Sequence, residues 1–436
     1  MGLFSDTLRI AYAQVDCSHS PHAVVNARAF IFAFLALVTT SNIESGKTLG
    51  FSGECWTSKA LPFVPEVLKT SPSLDGLQSI VMIALCQTLS GDFGSADTFI
   101  GIASRLIFTL GGHVNAPPDS TEEKGQHSQS HPIGHISCYN SHLRNLFWIC
   151  YIIDKDLCVR MGRPPCFHDS ECDLTLPVEQ DQNQETSDES MSPDPLKTHE
   201  HAQSNIIFLS EIRLSILKSR IQSSLYSILA LRKTDTELLR SVRELDAELE
   251  QWRVSLPAVI RPTVSFSPDP FSFSCHPPGL GAVIIRLEYH HCMGTIHQAS
   301  SRCQAWVDRP NMAMDGVSSS LELSVRASRS LLHYLLAAHH VLSQEFFRYI
   351  TFYPMSAFLM LFCNMLLKPL HNSVQGDLKL LEEAPIKLRE ALASHHLPSD
   401  DIHLLHAEEF MLLLGSLTRS AVAKARCERD SLRDCR

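Results

Sequence analysis

The stretch NLFWICYIIDKDLCVRMGRPP, residues 145–165, decides how the rest of the chain is read. From Leu146 to Ile153 it is apolar on every helical face, so a helix here must be covered on all sides. Asp154, Lys155, Asp156 and Arg160 follow, with Asp156 and Arg160 at the i, i+4 spacing of an ion pair. Gly162 stands where a left-handed helix cap is needed, and Pro164 and Pro165 prevent continuation. The spacing therefore predicts a buried core helix to about Met161, a charged exit, a glycine cap and an extended passage to Pro177. Arg163, fixed between a glycine and a proline, is a candidate for bridging helices or for holding an anion.

Upstream, Leu77 to Leu89 and Thr98 to Leu110 carry helical apolar spacing on either side of the turn GDFG, which predicts a helical hairpin ended by Gly111 and Gly112. Residues 115–130, NAPPDSTEEKGQHSQS, have no apolar period and read as a loop. Downstream, residues 179–204 hold seven acidic residues against Lys197 alone, an acidic linker expected to be disordered. Beyond it Ile207, Leu214, Leu217, Ile221, Leu225 and Ile228 form one amphipathic stretch. Leu238, Val242, Leu245, Leu249, Trp252 and Leu256 form a heptad between a Thr234/Glu237 capping box and Pro257. These two helices are expected to pack antiparallel within the chain rather than as a dimer zipper, because so few heptads make a poor free coiled coil. Further helices are expected over 281–303, 321–347, 354–367 and 402–425, with a proline-rich loop at 261–280.

The expected fold class is all-α, an irregular multi-helix array in two packed helical halves. Its parts are an N-terminal half over 1–178, the linker 179–204 and a C-terminal half over 205–436. A chain of 436 residues with 44% hydrophobic content has ample material for two cores. Its net charge of −10 argues against a surface built to neutralise phosphates. The longest uninterrupted apolar blocks, Ala29 to Val38 and Ala357 to Cys363, are well short of the roughly 20 residues that cross a bilayer, so no membrane partner is expected.

Fourteen cysteines are scattered without a single C-x-x-C pair, and read as buried reduced thiols. Of the 22 histidines, His290 and His297 lie seven apart on one helix face beside His291 and Cys292. Zinc-binding helices favour i, i+4 pairs, so these are read as partly buried structural histidines, as are His339, His340, His395 and His396. Phosphate loops, nucleophile elbows and H-E-x-x-H motifs are missing, and Asp400-Asp401 after Pro398 reads as helix capping. No catalytic, cofactor-binding or metal-binding residue is expected, and the chain is not expected to be an enzyme.

The run RNLFWICYIIDKDLCVRMGRPPCFHDSECDLTLP resembles the signature of the fungal-specific transcription factor domain, the middle homology region of fungal binuclear zinc cluster regulators. The matching positions are Arg144, Phe147, Trp148, Asp154, Gly162, Arg163, Pro164, Asp173, Leu176 and Pro177. The hairpin end Gly111-Gly112-His113 is similar to the family's Gly-Leu-His, with glycine for leucine. LEQWRVSLP, residues 249–257, looks like its Leu-x-x-Trp-x-x-x-Leu-Pro close, and Glu288-Tyr289-His290 like the helix after it.

The resemblance implies an all-helical regulatory region of a nuclear regulator of RNA polymerase II transcription. The family's zinc cluster needs six closely spaced cysteines in a basic segment, whereas the first 70 residues hold only Cys17 and Cys55. DNA contact is therefore expected only through a missing or partner-supplied cluster, and no cofactor in this chain. Coregulators, homologous regulators and a small-molecule effector are the expected partners. The alternative expectation is a cluster-less interaction protein or metabolite-sensing helical module that modulates other regulators.

Overall fold

The computed structural model describes residues 2–12, 20–41, 53–115, 133–177, 195–266, 279–308, 315–339, 348–393 and 402–434. Among the described residues there is no β-strand, and the helices fall into two compact units, Met1–Asp194 and Pro195–Arg436. The loop read at 115–130 lies, after Asn115, outside the described residues, as do 179–194 of the linker, His340, His395 and His396. The linker reading is corrected at its C-terminal end, because helix begins at Pro195. Proline suits the first helical turn, where its missing N–H has no intrahelical partner.

Unit 1 contains α1 (Gly2–Tyr12), α2 (Pro21–Ser41), α3 (Gly53–Ala60), α4 (Val64–Lys69), α5 (Leu74–Leu89), α6 (Phe93–Leu110) and α7 (Ile133–Met161). The predicted hairpin is α5–α6, and each of its helices starts on a side-chain cap. Ser73 accepts from the Gly76 N–H at 3.2 Å and Asp92 from the Ser95 N–H at 3.1 Å. Gly111 ends α6 at φ 81°, and the next N–H closes onto the Ile107 carbonyl at 3.0 Å. Phe30, Ala33, Ala60, Met82 and Ile83 form a core where α2, α3 and α5 meet. The buried Asn26 amide of α2 donates to Thr70 and Ser73, so this polar group on an apolar helix is satisfied.

By length and composition alone, α2 and the helical stretch Arg348–Leu367 are apolar enough to cross a membrane. The uninterrupted run in the sequence understates α2, which carries Asn26 and Arg28 between its apolar residues. Within unit 1, α2 packs against α1, α3 and α5.

Unit 2 contains α8 (Pro195–Ile221), a π-helical turn at Gln222–Tyr226, α9 (Asp235–Ser255), α10 (Leu280–Gln298), α11 (Gln304–Asp308), α12 (Asp315–Ala338), α13 (Phe352–Leu367), α14 (Val374–Ala393) and α15 (Ile402–Asp434). The capping box forms as read: the Thr234 hydroxyl accepts from Glu237 N–H while the Glu237 carboxylate accepts from Thr234 N–H. All six heptad residues are buried in one core with Leu214, Leu217, Ile221 and Leu225 of the preceding stretch. Ile228 departs from that pattern at 74% exposure, because helical periodicity is lost at the π turn.

Helix α10 is the centre of unit 2. Ile285, Tyr289, Cys292 and Ile296 face the α8–α9 core, whereas Val283 and Leu287 face a second core built by α12, α13, α14 and α15. Helix α14 runs through Pro385, a residue that periodicity reading treats as a stop.

Candidate functional site

The signature positions from Arg144 to Pro177 lie in unit 1, where α7 and the chain that leaves it are tied together by partly and fully buried charge. Arg144, near the middle of α7, donates to the carbonyls of Gly112 and His113 after the hairpin. It also donates to those of Asp173 and Thr175 in the departing chain. Its guanidinium lies 4.5 Å from the Phe147 ring centroid and 4.8 Å from that of Trp148. One side chain thus fixes three segments that are distant in sequence. Gly112 belongs to this contact, since a Cβ there would sit 2.9 Å from Leu143 Cγ and 3.3 Å from the Leu143 carbonyl. The close approach explains a glycine where the family pattern has leucine.

Nearly three turns later, Asp154 accepts from the backbone N–H groups of Cys166 at 2.8 Å and Phe167 at 3.2 Å, and from Lys155 Nζ at 3.1 Å. Lys155, 1% exposed, also donates to the Phe167 carbonyl, faces Asp169 at 3.7 Å and lies over the Tyr151 ring. The Tyr151 hydroxyl donates to Asp169 at 2.8 Å. Burial pushes the Asp154 carboxyl up, opposed by the Lys155 ammonium and the two backbone donors. Phe147, Trp148, Tyr151 and Phe167 pack around this cluster with centroids 5.0–6.5 Å apart.

The charged exit is therefore mostly interior. Asp154, Lys155 and Asp156 are 2%, 1% and 6% exposed, and Arg160 pairs with Asp156 at 2.7 Å as its spacing predicts. Sequence reading paired Asp156 with Arg160 but missed Lys155 and Asp169. The available signal was an aspartate–lysine pair directly after a fully apolar octet, on a helix that must stay covered.

Gly162 caps α7 at φ 65°. Gly162→Ala is expected to lower unfolding free energy by about 1–2 kcal/mol, the cost of a Cβ in left-handed backbone, read from urea denaturation. Arg163 reaches Asp97 of α6 at 2.6 Å, so it bridges helices rather than standing free for an anion. Its side chain is 49% exposed, and solvent screening limits such a pair, so Arg163→Lys is expected to cost less than about 1 kcal/mol. Pro164 is exposed, Leu176 and Pro177 are partly buried, and Asp173 Oδ1 accepts from the Thr175 N–H at 2.8 Å. The Thr175 hydroxyl and N–H hold the Asp173 carboxyl below the usual carboxylate range.

In unit 2 His290, His291 and His297 are buried. His297 is 4% exposed, with Nδ1 2.9 Å from Ser320 Oγ and Nε2 3.3 Å from Asp246 Oδ1. The residue types are those of a hydrolase triad, but Ser320 is only 7% exposed, so the set clamps α9, α10 and α12. His290 is 2% exposed, and burial pulls its imidazole down to about 3.

In the unfolded chain a histidine takes up its proton near pH 6.5, so between these values the unfolded state binds more protons and stability rises with pH. Lowering pH from 7 to 5 is expected to remove about 2 kcal/mol through His290. His290→Gln should flatten that slope in denaturation curves taken at the two pH values. Among the described residues no group of three or more His, Cys, Asp or Glu is placed to hold a metal ion. Cys86, Cys150, Cys158, Cys292 and Cys303 are buried, and burial pushes thiols such as Cys86 up to about 11.

The fungal specific transcription factor domain matches residues 18–254. Among curated proteins, the chain is 31% identical over 251 residues to an ABC-transporter-regulating transcription factor of Aspergillus oryzae and 30% identical over 251 residues to one of Aspergillus fumigatus. Each match covers 55% of this chain and 26% of the relative, so the match spans about a quarter of those proteins. A fusaridione A cluster transcription factor of Fusarium heterosporum is 25% identical over 325 residues, 73% of this chain and 54% of that protein. No solved structure matches the chain. With α1 aside, the matched region takes in the hairpin, the Arg144 and Asp154 clusters and nearly all of α9, and the chain belongs to the fungal specific transcription factor domain family.

Proposed function

We propose that this chain works in the nucleus as the regulatory, non-catalytic part of a fungal transcription regulator. The observation that carries the reading is the family match over residues 18–254, which includes the Arg144 and Asp154 clusters of unit 1. The relatives' names share regulation of transcription and differ in their targets, so the reading is confined to what they share. In unit 1 charge is spent on fixing chain path: Arg144 holds four carbonyls, and Asp154 holds two backbone N–H groups and a lysine. An active site instead aims such groups at a ligand, with unsatisfied donors or acceptors facing a cavity. DNA contact is assigned to a zinc cluster module outside the described helices, and no cofactor is assigned to these residues.

The test is tethering. The full chain, fused to an unrelated sequence-specific DNA-binding module, is expected to raise or lower a reporter driven by that module's operator in fungal cells. A fusion that is stable and nuclear yet leaves the reporter at the level of the bare module would sink the reading.

A further inference from the structure

A groove of about 340 Å³ runs between α8 and α9, lined by Arg213, Ile216, Leu217 and Arg220 on one side and by Glu248, Gln251, Trp252 and Ser255 on the other. We propose that it binds a small organic carboxylate with an aromatic or branched apolar body, the acid on Arg213 and the body over Trp252.

The floor is preformed. The Trp252 indole N–H donates to the Ser210 carbonyl at 3.1 Å, and its ring stacks on Tyr289 with centroids 6.4 Å apart, so no side chain must be ordered to receive an apolar body. Trp252 and Leu217 show only their edges, at 6% and 5% exposure, and the partly buried Ile216 continues that surface. The two ends differ in charge. At one end Arg220 is paired with Glu248, whose carboxylate repels a second acid. Arg213, two turns earlier on α8, falls near the level of Trp252 and Ser255, since Ser210 already meets Trp252 in the antiparallel pair. Arg213 lines the groove, is exposed and makes no hydrogen bond or ion pair among the described residues, so its guanidinium donors are open to a ligand. The exposed Gln251 amide beside this end supplies a further donor.

Size selects the ligand class. The volume lies at the lower end of the ~300–1,000 Å³ typical of small-molecule sites, room for one ring and a short acid-bearing chain. An exposed guanidinium–carboxylate contact is screened by water and adds little affinity by itself. The apolar body therefore carries most of the binding, and Arg213 carries the preference for the acid over a neutral analogue. As an effector site the groove rests on the regulatory reading above, whereas binding itself does not.

The probe is 4-phenylbutyrate, compared with 4-phenylbutanol, titrated into the purified full chain by calorimetry. The expected result is saturable one-site binding of the acid, and about threefold weaker binding of the alcohol. Arg213→Glu is expected to weaken the acid by a similar factor, while Arg240→Glu, an exposed arginine of α9 outside the groove, leaves it unchanged. Thermal unfolding followed by circular dichroism shows that each variant is folded before it is titrated, and Arg213→Gln replaces Arg213→Glu if the latter is not. Equal binding of acid and alcohol, indifference to the Arg213 change, or no saturable binding would overturn the proposal. A concentration-dependent dimer that Arg213→Glu dissolves would also overturn it, since a second copy would then occupy the groove. None of these failures touches the tethering result, which stands or falls separately.

Discussion

Replacing Asp154 with alanine is expected to lower the unfolding free energy of unit 1 by about 3–5 kcal/mol, the usual cost of removing one partner from a buried ion pair. Three donors lose their acceptor at once: the Cys166 and Phe167 N–H groups and Lys155 Nζ. Lys155, 1% exposed, cannot turn to water, and its remaining carboxylate, Asp169, is 3.7 Å away. Against a typical domain stability of about 5–15 kcal/mol the loss is large. Urea denaturation followed by far-ultraviolet circular dichroism is the direct measurement. The double change Asp154→Leu/Lys155→Met, which removes both charges, is expected to be more stable than Asp154→Ala alone. A loss below about 1 kcal/mol for Asp154→Ala would mean that water reaches Lys155.

Lys218→Met in unit 2 is expected to have an effect of similar size, about 3–5 kcal/mol, for a related reason. Lys218 Nζ lies 2.8 Å from Glu288 Oε1, and both residues are buried, at 2% and 5% exposure. The Tyr353 hydroxyl donates to the same carboxylate oxygen at 3.3 Å. The three residues come from α8, α10 and α13, so the pair lies where the two cores of this unit meet. Methionine fills much of the lysine's volume but leaves the Glu288 carboxylate without its cation. Thermal unfolding of the variant should show a lower midpoint, with Lys218→Met/Glu288→Leu recovering part of it. A midpoint equal to that of the parent chain would assign the pair no share in holding α8 against α10.

Helices with a strong local signature were legible in the sequence. The α5–α6 hairpin follows from apolar period and turn residues, α9 from its heptad and capping box, and the end of α7 from Gly162 and the two prolines. What escaped sequence reading depends on long-range contact. The donors of Arg144 find carbonyls about thirty residues away on either side, and the partner of Lys155 beyond its neighbour is Asp169, across the turn. No local pattern encodes those encounters. Helix α14 was hidden by Pro385, and the start of α8 by the acidic composition of the preceding segment. The groove between α8 and α9 could be anticipated only as far as the heptad seam, because Arg213 is exposed and follows no period.

Arg144 reads the route of the chain rather than its residues. All four of its acceptors are main-chain carbonyls, at Gly112, His113, Asp173 and Thr175. A side-chain change at 113, 173 or 175 leaves the carbonyl in place, so the lock survives substitution of its partners. Only a change at 144, or a change in the path of either strand of chain, releases it. The burden of specificity falls on one position, while the segments it holds are free to vary in the chemistry they present to solvent.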